Sequence, residues 1–234
     1  MDLKKLLQSH GYDLIDGPVR NHRLLQLWLK KDMDRAELYY NHLTDAFQGT
    51  SVPEEVVNTA LKVSSSDTDE YQFNIGITVL EGILKSIGLG EIGLTAKIKS
   101  GKKVTISYGN STTREVPIGE IENYLASADF THPNPVLLRN ARRDNILIVT
   151  GLVIAKDLTV KIETDFKVDA GLVASLESMA AGKAGFTSQS DNMIDMQAPG
   201  NEPFPVAVKA SRIGFRDTGF NNLKLVTDNR ADLF

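Results

Sequence analysis

At 234 residues and 41% hydrophobic content, the chain is long enough for one large domain and apolar enough to bury a core rather than remain disordered. Its formal charge of −4 argues against a general nucleic-acid binder, and the lack of cysteine rules out a disulfide framework, a thiol nucleophile and any Cys-based metal site. A cysteine-free chain fits a reducing compartment.

Residues 1–10 carry Lys4 and Lys5 with Leu3, Leu6 and Leu7 as apolar positions beyond Met1, too few for a signal peptide, so a cytoplasmic location is expected. Asp2 is placed to cap a short helix that Gly11 closes. Residues 12–15 and 23–29 read as strands split by a turn at Asp16, Gly17 and Pro18, with Leu25, Leu27 and Leu29 alternating against Gln26 and Trp28. Residues 37–40 form another short strand. Pro53 opens a predicted helix to about Lys62, and the polar residues 64–70 make a linker.

Residues 74–108 fit two backbone periods. Ile75, Val79, Ile83 and Ile87 recur every fourth residue, flanked by Leu80 and Leu84, as on one buried helix face. Yet Ile75, Ile77 and Val79 also alternate. From Leu94 the period is two: Leu94, Ala96 and Ile98 are apolar between Thr95, Lys97 and Lys99, and Val104, Ile106 and Tyr108 repeat the pattern. A loop at Ser100, Gly101 and Lys102 would set Ile98 opposite Val104, Ala96 opposite Ile106 and Leu94 opposite Tyr108, a hairpin with one apolar and one lysine-rich face. Such a hairpin belongs either at the edge of a soluble antiparallel sheet or in a membrane-spanning barrel. A protein that used both in turn would carry the same pattern.

Further on, Pro117 opens a helix whose Ile118, Ile121, Tyr124 and Leu125 share a face, followed by a proline-stiffened turn at 131–135. Ile146–Ala155 is apolar except at Thr150 and Gly151, which marks a strand buried on both faces in the middle of the sheet. That run is about half of what a spanning helix needs, so any bilayer crossing must use strands. Leu158, Val160, Ile162, Thr164, Phe166 and Val168 then alternate with polar residues. Asp169 caps a helix carrying Leu172, Val173, Leu176 and Met179, which Gly182 stops; residues 185–192 are polar and weakly alternating. Residues 204–215 form a late strand, and 221–234 trail off polar and charged.

Chemistry is sparse. Gly88, Gly90 and Gly93 spell a dinucleotide fingerprint, but a helical pattern precedes them and a strand follows, the reverse of what a pyrophosphate site needs; a glycine hinge is the better reading. His10, His22, His42 and His132 have no ligand spacing, and Asp67, Asp69 and Glu70 sit in the linker. No catalytic residue, cofactor site or metal site is predicted, and an enzyme ranks last among the readings. Lys97, Lys99, Lys102 and Lys103 either guard a strand edge or face an anionic lipid surface, and Arg139, Arg142 and Arg143 carry the same two readings.

The residues 6–15, the Arg23-Leu24-Leu25-Gln26-Leu27 segment, the central run 146–153 and the late segment 206–215 together resemble the bacterial gasdermins. The resemblance covers most of the chain through diffuse patterns. It implies an α+β fold, a twisted, mostly antiparallel sheet with surrounding helices like the gasdermin N-terminal domain. It divides the chain into a pore-forming domain, 1–220, and a short C-terminal tail, 221–234, with three readings: the tail is an autoinhibitory latch, the chain lacks part of it, or the protein needs no cleavage. An activating protease, caspase-like or similar, would remove the tail. The freed body would then form a homo-oligomer on membrane lipids of the inner membrane, close into a β-barrel pore and kill the cell in antiphage defence.

Within that resemblance Ile75, Ile77, Val79, Leu94, Ala96, Ile98, Val104, Ile106 and Tyr108 form the lipid face of a first inserting hairpin. Leu158, Val160, Ile162, Phe166, Val168 and Phe186 form that of a second, in which the 169–181 helix melts into strand. Lys97, Lys99, Lys102 and Lys103 meet acidic lipid, while Leu223, Leu225, Val226, Leu233 and Phe234 are the inhibitory tail contacts. Many bacterial members carry an acylated N-terminal cysteine; Met1-Asp2-Leu3 offers none, so lipid attachment is not expected. The competing reading is a soluble α+β module that binds an acidic partner without entering a membrane.

Overall fold

The computed structural model describes residues 7–15, 22–30, 36–58, 80, 85, 101–109, 111–130, 134–155, 157–182, 184–198, 203–216 and 219–227. Its organising strand is β9, Ile146–Ala155, and the unbroken apolar run explains why. Ile146, Leu147, Ile148 and Val149 are all fully buried, Ile146 and Ile148 in one core and Leu147 and Val149 in another across the sheet. A strand buried on both faces needs apolar residues at both parities.

Around β9 the first sheet has, among the described residues, eight strands. On one side lies β13, Phe204–Arg216, whose far edge pairs β1, Asp13–Leu14, and β14, Gly219–Leu225. On the other side, β2 (Leu27–Leu29) pairs one end of β9 and β7 (Thr112–Glu115) pairs the opposite end. Beyond them lie β3, Glu37–Tyr40, and β5, Val56–Asn58. All these pairs are antiparallel. Helix α1, Ile118–Ser127, and helix α2, Pro135–Arg142, cover one face with Ile121, Tyr124, Leu125, Leu137 and Ala141. A short ladder of β4, Phe47–Gln48, with β8, Asp129–Phe130, closes that side.

In the first sheet three local expectations are corrected. The stretch after Pro53 is the strand β5, not a helix, because β7 offers Val56 and Val57 a ladder that outweighs their local pattern. Only residues 27–29 of the expected strand 23–29 are extended. Leu25 has φ +62, and Gln26 and Trp28 are buried rather than turned to water. The Gln26 side-chain oxygen accepts from the Arg23 N–H at 2.9 Å, and Trp28 stacks on the His22 ring at 4.8 Å. The third correction concerns the tail: its first part is the strand β14, with Leu223 opposite Ile213 and Leu225 opposite Ser211.

The second sheet has the order β11 (Gly185–Ser190), β12 (Met193–Ala198), β10 (Asp157–Thr164) and β6 (Gly101–Gly109). Gly101 and Lys102 thus belong to β6, where the sequence placed them in a loop. Strand β10 stops at Thr164, short of Val168, because the Thr164 hydroxyl turns to the carbonyls of Phe166 (2.8 Å) and Asn192 (3.1 Å). Helix α3, Ala170–Ala180, follows as its caps require. Asp169 accepts from the Leu172 N–H at 2.8 Å, and Ala181 and Gly182 turn left-handed at φ +50 and +80 to end it.

Candidate functional site

The alternating strands of the two expected hairpins meet in the second sheet. Val104, Ile106 and Tyr108 of β6 stand directly opposite Ile162, Val160 and Leu158 of β10. Val160 and Ile162 also face Met196 and Ile194 of β12, and Phe186 of β11 faces Met196. Val104, Val160, Ile162, Phe186, Ile194 and Met196 are buried in one core cluster. Strict alternation puts every second side chain of each strand on that face.

Helix α3 supplies part of the cover. Its Leu176 and Ala180 are buried in the same cluster, as is Val168, while Phe166, Leu172, Val173 and Met179 pack against it half-buried. Leu80, which is helical, is fully buried there too. The polar faces carry complementary charge: Glu163 lies opposite Lys103, and Lys161 opposite Asp195.

Direction matters here. Strand β12 pairs antiparallel with both β10 and β11, so β10 and β11 run parallel with β12 between them, and α3 is the crossover that links them. A hairpin made of β10, α3 and β11 would need the opposite arrangement, consecutive and antiparallel. The sheet therefore holds these segments in a topology that differs from a hairpin of β10, α3 and β11.

A second constellation ties the chain's two ends to the first sheet. The Tyr12 hydroxyl donates to Glu115 Oε1 at 2.7 Å, Lys209 Nζ donates to the same oxygen at 3.0 Å, and the ammonium lies 5.4 Å from the Tyr12 ring centroid. Burial, then the hydrogen bond and charge of Glu115, push the Tyr12 phenol far above its usual range. Burial alone would raise Glu115, but the hydrogen bonds from Tyr12 and Lys209 and the Lys209 charge outweigh it and hold the carboxyl below its usual range. Gly151 makes room for the trio: a Cβ there would stand 3.1 Å from both Lys209 Cβ and the Tyr12 hydroxyl. Nearby, the buried Thr227 hydroxyl donates to the Gly11 carbonyl at 2.5 Å and accepts from the Ala210 N–H at 3.1 Å. Val226 is buried beside it against Ala210 and Val208, and its N–H bonds the Ala210 carbonyl.

A sequence model described as the Bacterial Gasdermin Family matches residues 15–220, most of the chain. The chain belongs to the bacterial gasdermin family. A gasdermin from Lysobacter enzymogenes is 19% identical over 228 residues, covering 94% of this chain and 83% of that relative. One from Vitiosangium sp. is 23% identical over 163 residues, covering 68% of this chain and 60% of the relative. The solved structure of a bacterial gasdermin from Bradyrhizobium tropiciagri superposes with a TM-score of 0.57 at 14% identity, over 94% of this chain and 90% of that one, a likeness of fold. Membership in the gasdermins implies a pore-forming cell-death effector rather than an enzyme.

The remaining sequence-predicted residues divide as follows. Of the first gasdermin hairpin, Ile75, Ile77, Val79, Leu94, Ala96 and Ile98 lie outside the described residues, as do Lys97, Lys99 and the glycines of the 88–93 hinge. Lys103 is half-buried on β6. Of the tail contacts, Leu223 packs half-buried against the core under α1 and α2, Leu225 lies over Gly11, and Val226 is buried, while Leu233 and Phe234 lie outside the described residues. Neither Thr227 nor the Tyr12, Glu115 and Lys209 trio was singled out from sequence. They are 216 and up to 103 residues apart from their partners, and no local pattern signals such pairs. His22 and His42 line one cleft of about 480 Å³ with Arg23, Glu55 and Arg114, where Arg114 pairs with Glu55. Among the described residues no cluster of metal-ligating side chains forms.

Proposed function

We propose that this chain is the autoinhibited precursor of a pore-forming protein. Proteolytic release of the C-terminal tail, residues 221–234, frees the body to oligomerise in the inner membrane as a β-barrel pore, and the pore kills the cell in antiphage defence. The observation that carries this reading is the β6–β10 ladder. Two sequence-distant strands, each strictly alternating, are paired in register, and Val104, Val160 and Ile162 of the two are buried in one core with α3.

An open sheet cannot enter a bilayer, because its edge N–H and C=O groups would lack partners; a closed ring of such hairpins satisfies all of them. Each arm of about ten residues suffices to cross at the usual tilt. In this account β10 and β11 lengthen at the expense of α3, and the face that meets Leu176 at rest meets acyl chains in the pore. Acidic lipids and Lys103 on the polar face, with Lys97, Lys99 and Lys102, hold the protein at the surface first. The activating protease is caspase-like or similar.

Dye release from vesicles of inner-membrane lipid composition tests the reading. The intact chain should leave vesicles sealed, and the chain trimmed by limited proteolysis near its C-terminus should empty them. Sealed vesicles under both conditions favour the soluble binding module instead.

A further inference from the structure

A small pocket sits on the β13–β14 hairpin, away from the second sheet. It has a volume of about 200 Å³ and is walled by Arg212, Arg216 and Lys224, the amides of Asn221 and Asn222, and Asp144. We propose that this pocket is a phosphate-binding site that takes a phosphomonoester or phosphodiester group.

Charge is the first argument. Three basic residues and one acidic residue line a common space, and Asp217 lies outside the described residues. Arg212 and Lys224 are direct cross-strand partners. Like charges placed opposite each other weaken an antiparallel ladder, and an anion between them reverses the sign. The Arg212 guanidinium is held in place because Nη1 donates to the Asp144 carbonyl.

Shape is the second. The ladder slips between Gly214 and Phe215, a bulge that opens the strand pair at the pocket. A Cβ on Gly214 would run into the Asn222 side-chain oxygen, so glycine at this position makes room for that amide in the pocket wall. Phe215 fixes the wall, stacked on Phe47 at 5.5 Å and edge-on to Phe220 at 6.2 Å. The volume falls below the roughly 300–1,000 Å³ of drug-sized ligand sites, which suits a headgroup-sized oxyanion rather than a whole metabolite or an acyl chain. Two guanidinium forks, an ammonium and two amides match the several acceptor oxygens and the charge of about −1.5 to −2 on a phosphate ester better than a carboxylate.

Arg212 and Arg216 lie within the family match, and Asn221, Asn222 and Lys224 lie past residue 220, where it ends. The proposal stands apart from pore formation, since the uncut chain already presents the site.

The test uses the uncut, full chain. Inorganic phosphate is titrated while the Asn221 and Asn222 side-chain amide signals are followed by NMR. In parallel, vesicles of phosphatidylglycerol and of phosphatidylcholine are offered in sedimentation. Saturable amide shifts with phosphate identify a soluble ligand, and binding confined to phosphatidylglycerol vesicles identifies a lipid headgroup. Either must weaken at least about tenfold in Arg216→Gln/Lys224→Gln. That variant should unfold no earlier than the parent without phosphate, because it loses a like-charge neighbour and no core contact. No saturable response to any probe, or an unchanged response in the variant, overturns the proposal. Neither result alters what dye release says about the pore.

Discussion

Val160 of β10 stands directly opposite Ile106 of β6, in the middle of a ladder that runs from Asp157 against Gly109 to Glu163 against Lys103. One strand from each of the two alternating stretches is thus paired with the other. The apolar face they share is closed by α3, whose own residues belong to the second stretch.

The balance between α3 and strand should be tunable from the exposed side of the helix. Asp169→Ala removes the cap on the Leu172 N–H and should cost about 1 kcal/mol of helix stability, so cut protein should release dye faster. Ser178→Ala, at an exposed position, raises helix propensity by about 0.5 kcal/mol and should slow release. Stopped-flow dye release on the two variants checks the opposite signs.

The Thr227 hydroxyl holds the chain's C-terminal side to its N-terminal side through Gly11 and Ala210. Thr227→Val keeps the volume and strands both buried partners, an expected loss of about 1–3 kcal/mol. A lowered melting temperature together with partial dye release by uncut protein would mark Thr227 as part of the latch. Lowered stability without release would mark it as structural only.

The Tyr12, Glu115 and Lys209 trio makes stability pH-dependent in two windows. The folded Glu115 carboxyl titrates below the ordinary value of 4.5, so its contribution is present above that pH and is lost as pH falls through the lower folded value. The Tyr12 phenol is raised from its ordinary 10.0, so its contribution is complete below that pH and declines as pH rises above it. Urea midpoints measured across pH should show both slopes in the parent. Glu115→Gln should lose the acid slope, and Tyr12→Phe the alkaline one.

Gly151 carries a steric prediction. Its absent Cβ is ringed by Lys209, Tyr12 and the Glu115 Cγ at 3.1–3.2 Å, all backbone-near or mutually bonded atoms. Gly151→Ala should therefore destabilise the fold by about 1–3 kcal/mol, read as a drop in urea midpoint, with the pH slopes flattened as the trio is pushed apart.

What the sequence disclosed follows from the range of the forces involved. The double burial of β9 was legible because ten apolar positions leave no polar face, and the ends of α3 were legible because Asp169 and Gly182 act on their own neighbours. Helix α2 went unread although Asn134, Pro135 and the terminal arginines are local start and stop signals. Strand β5 was misread because Val56 and Val57 take their conformation from β7, and β14 because the alternation of Leu223 and Leu225 is short and surrounded by polar residues. The pairing of β6 with β10 was beyond reach. Alternation says which side chains share a face but not which strand lies alongside.

The most direct measurement is a single-cysteine fluorophore scan through α3, made clean by a chain with no native cysteine. Labels are placed one at a time from Ala170 to Ala180, and an environment-sensitive dye is read in solution and again after tail cleavage on vesicles. The account predicts a change of period from about 3.6 residues in solution to 2 on the membrane, alternate labels sensing lipid and water. A helical period that persists while the vesicles leak would contradict it.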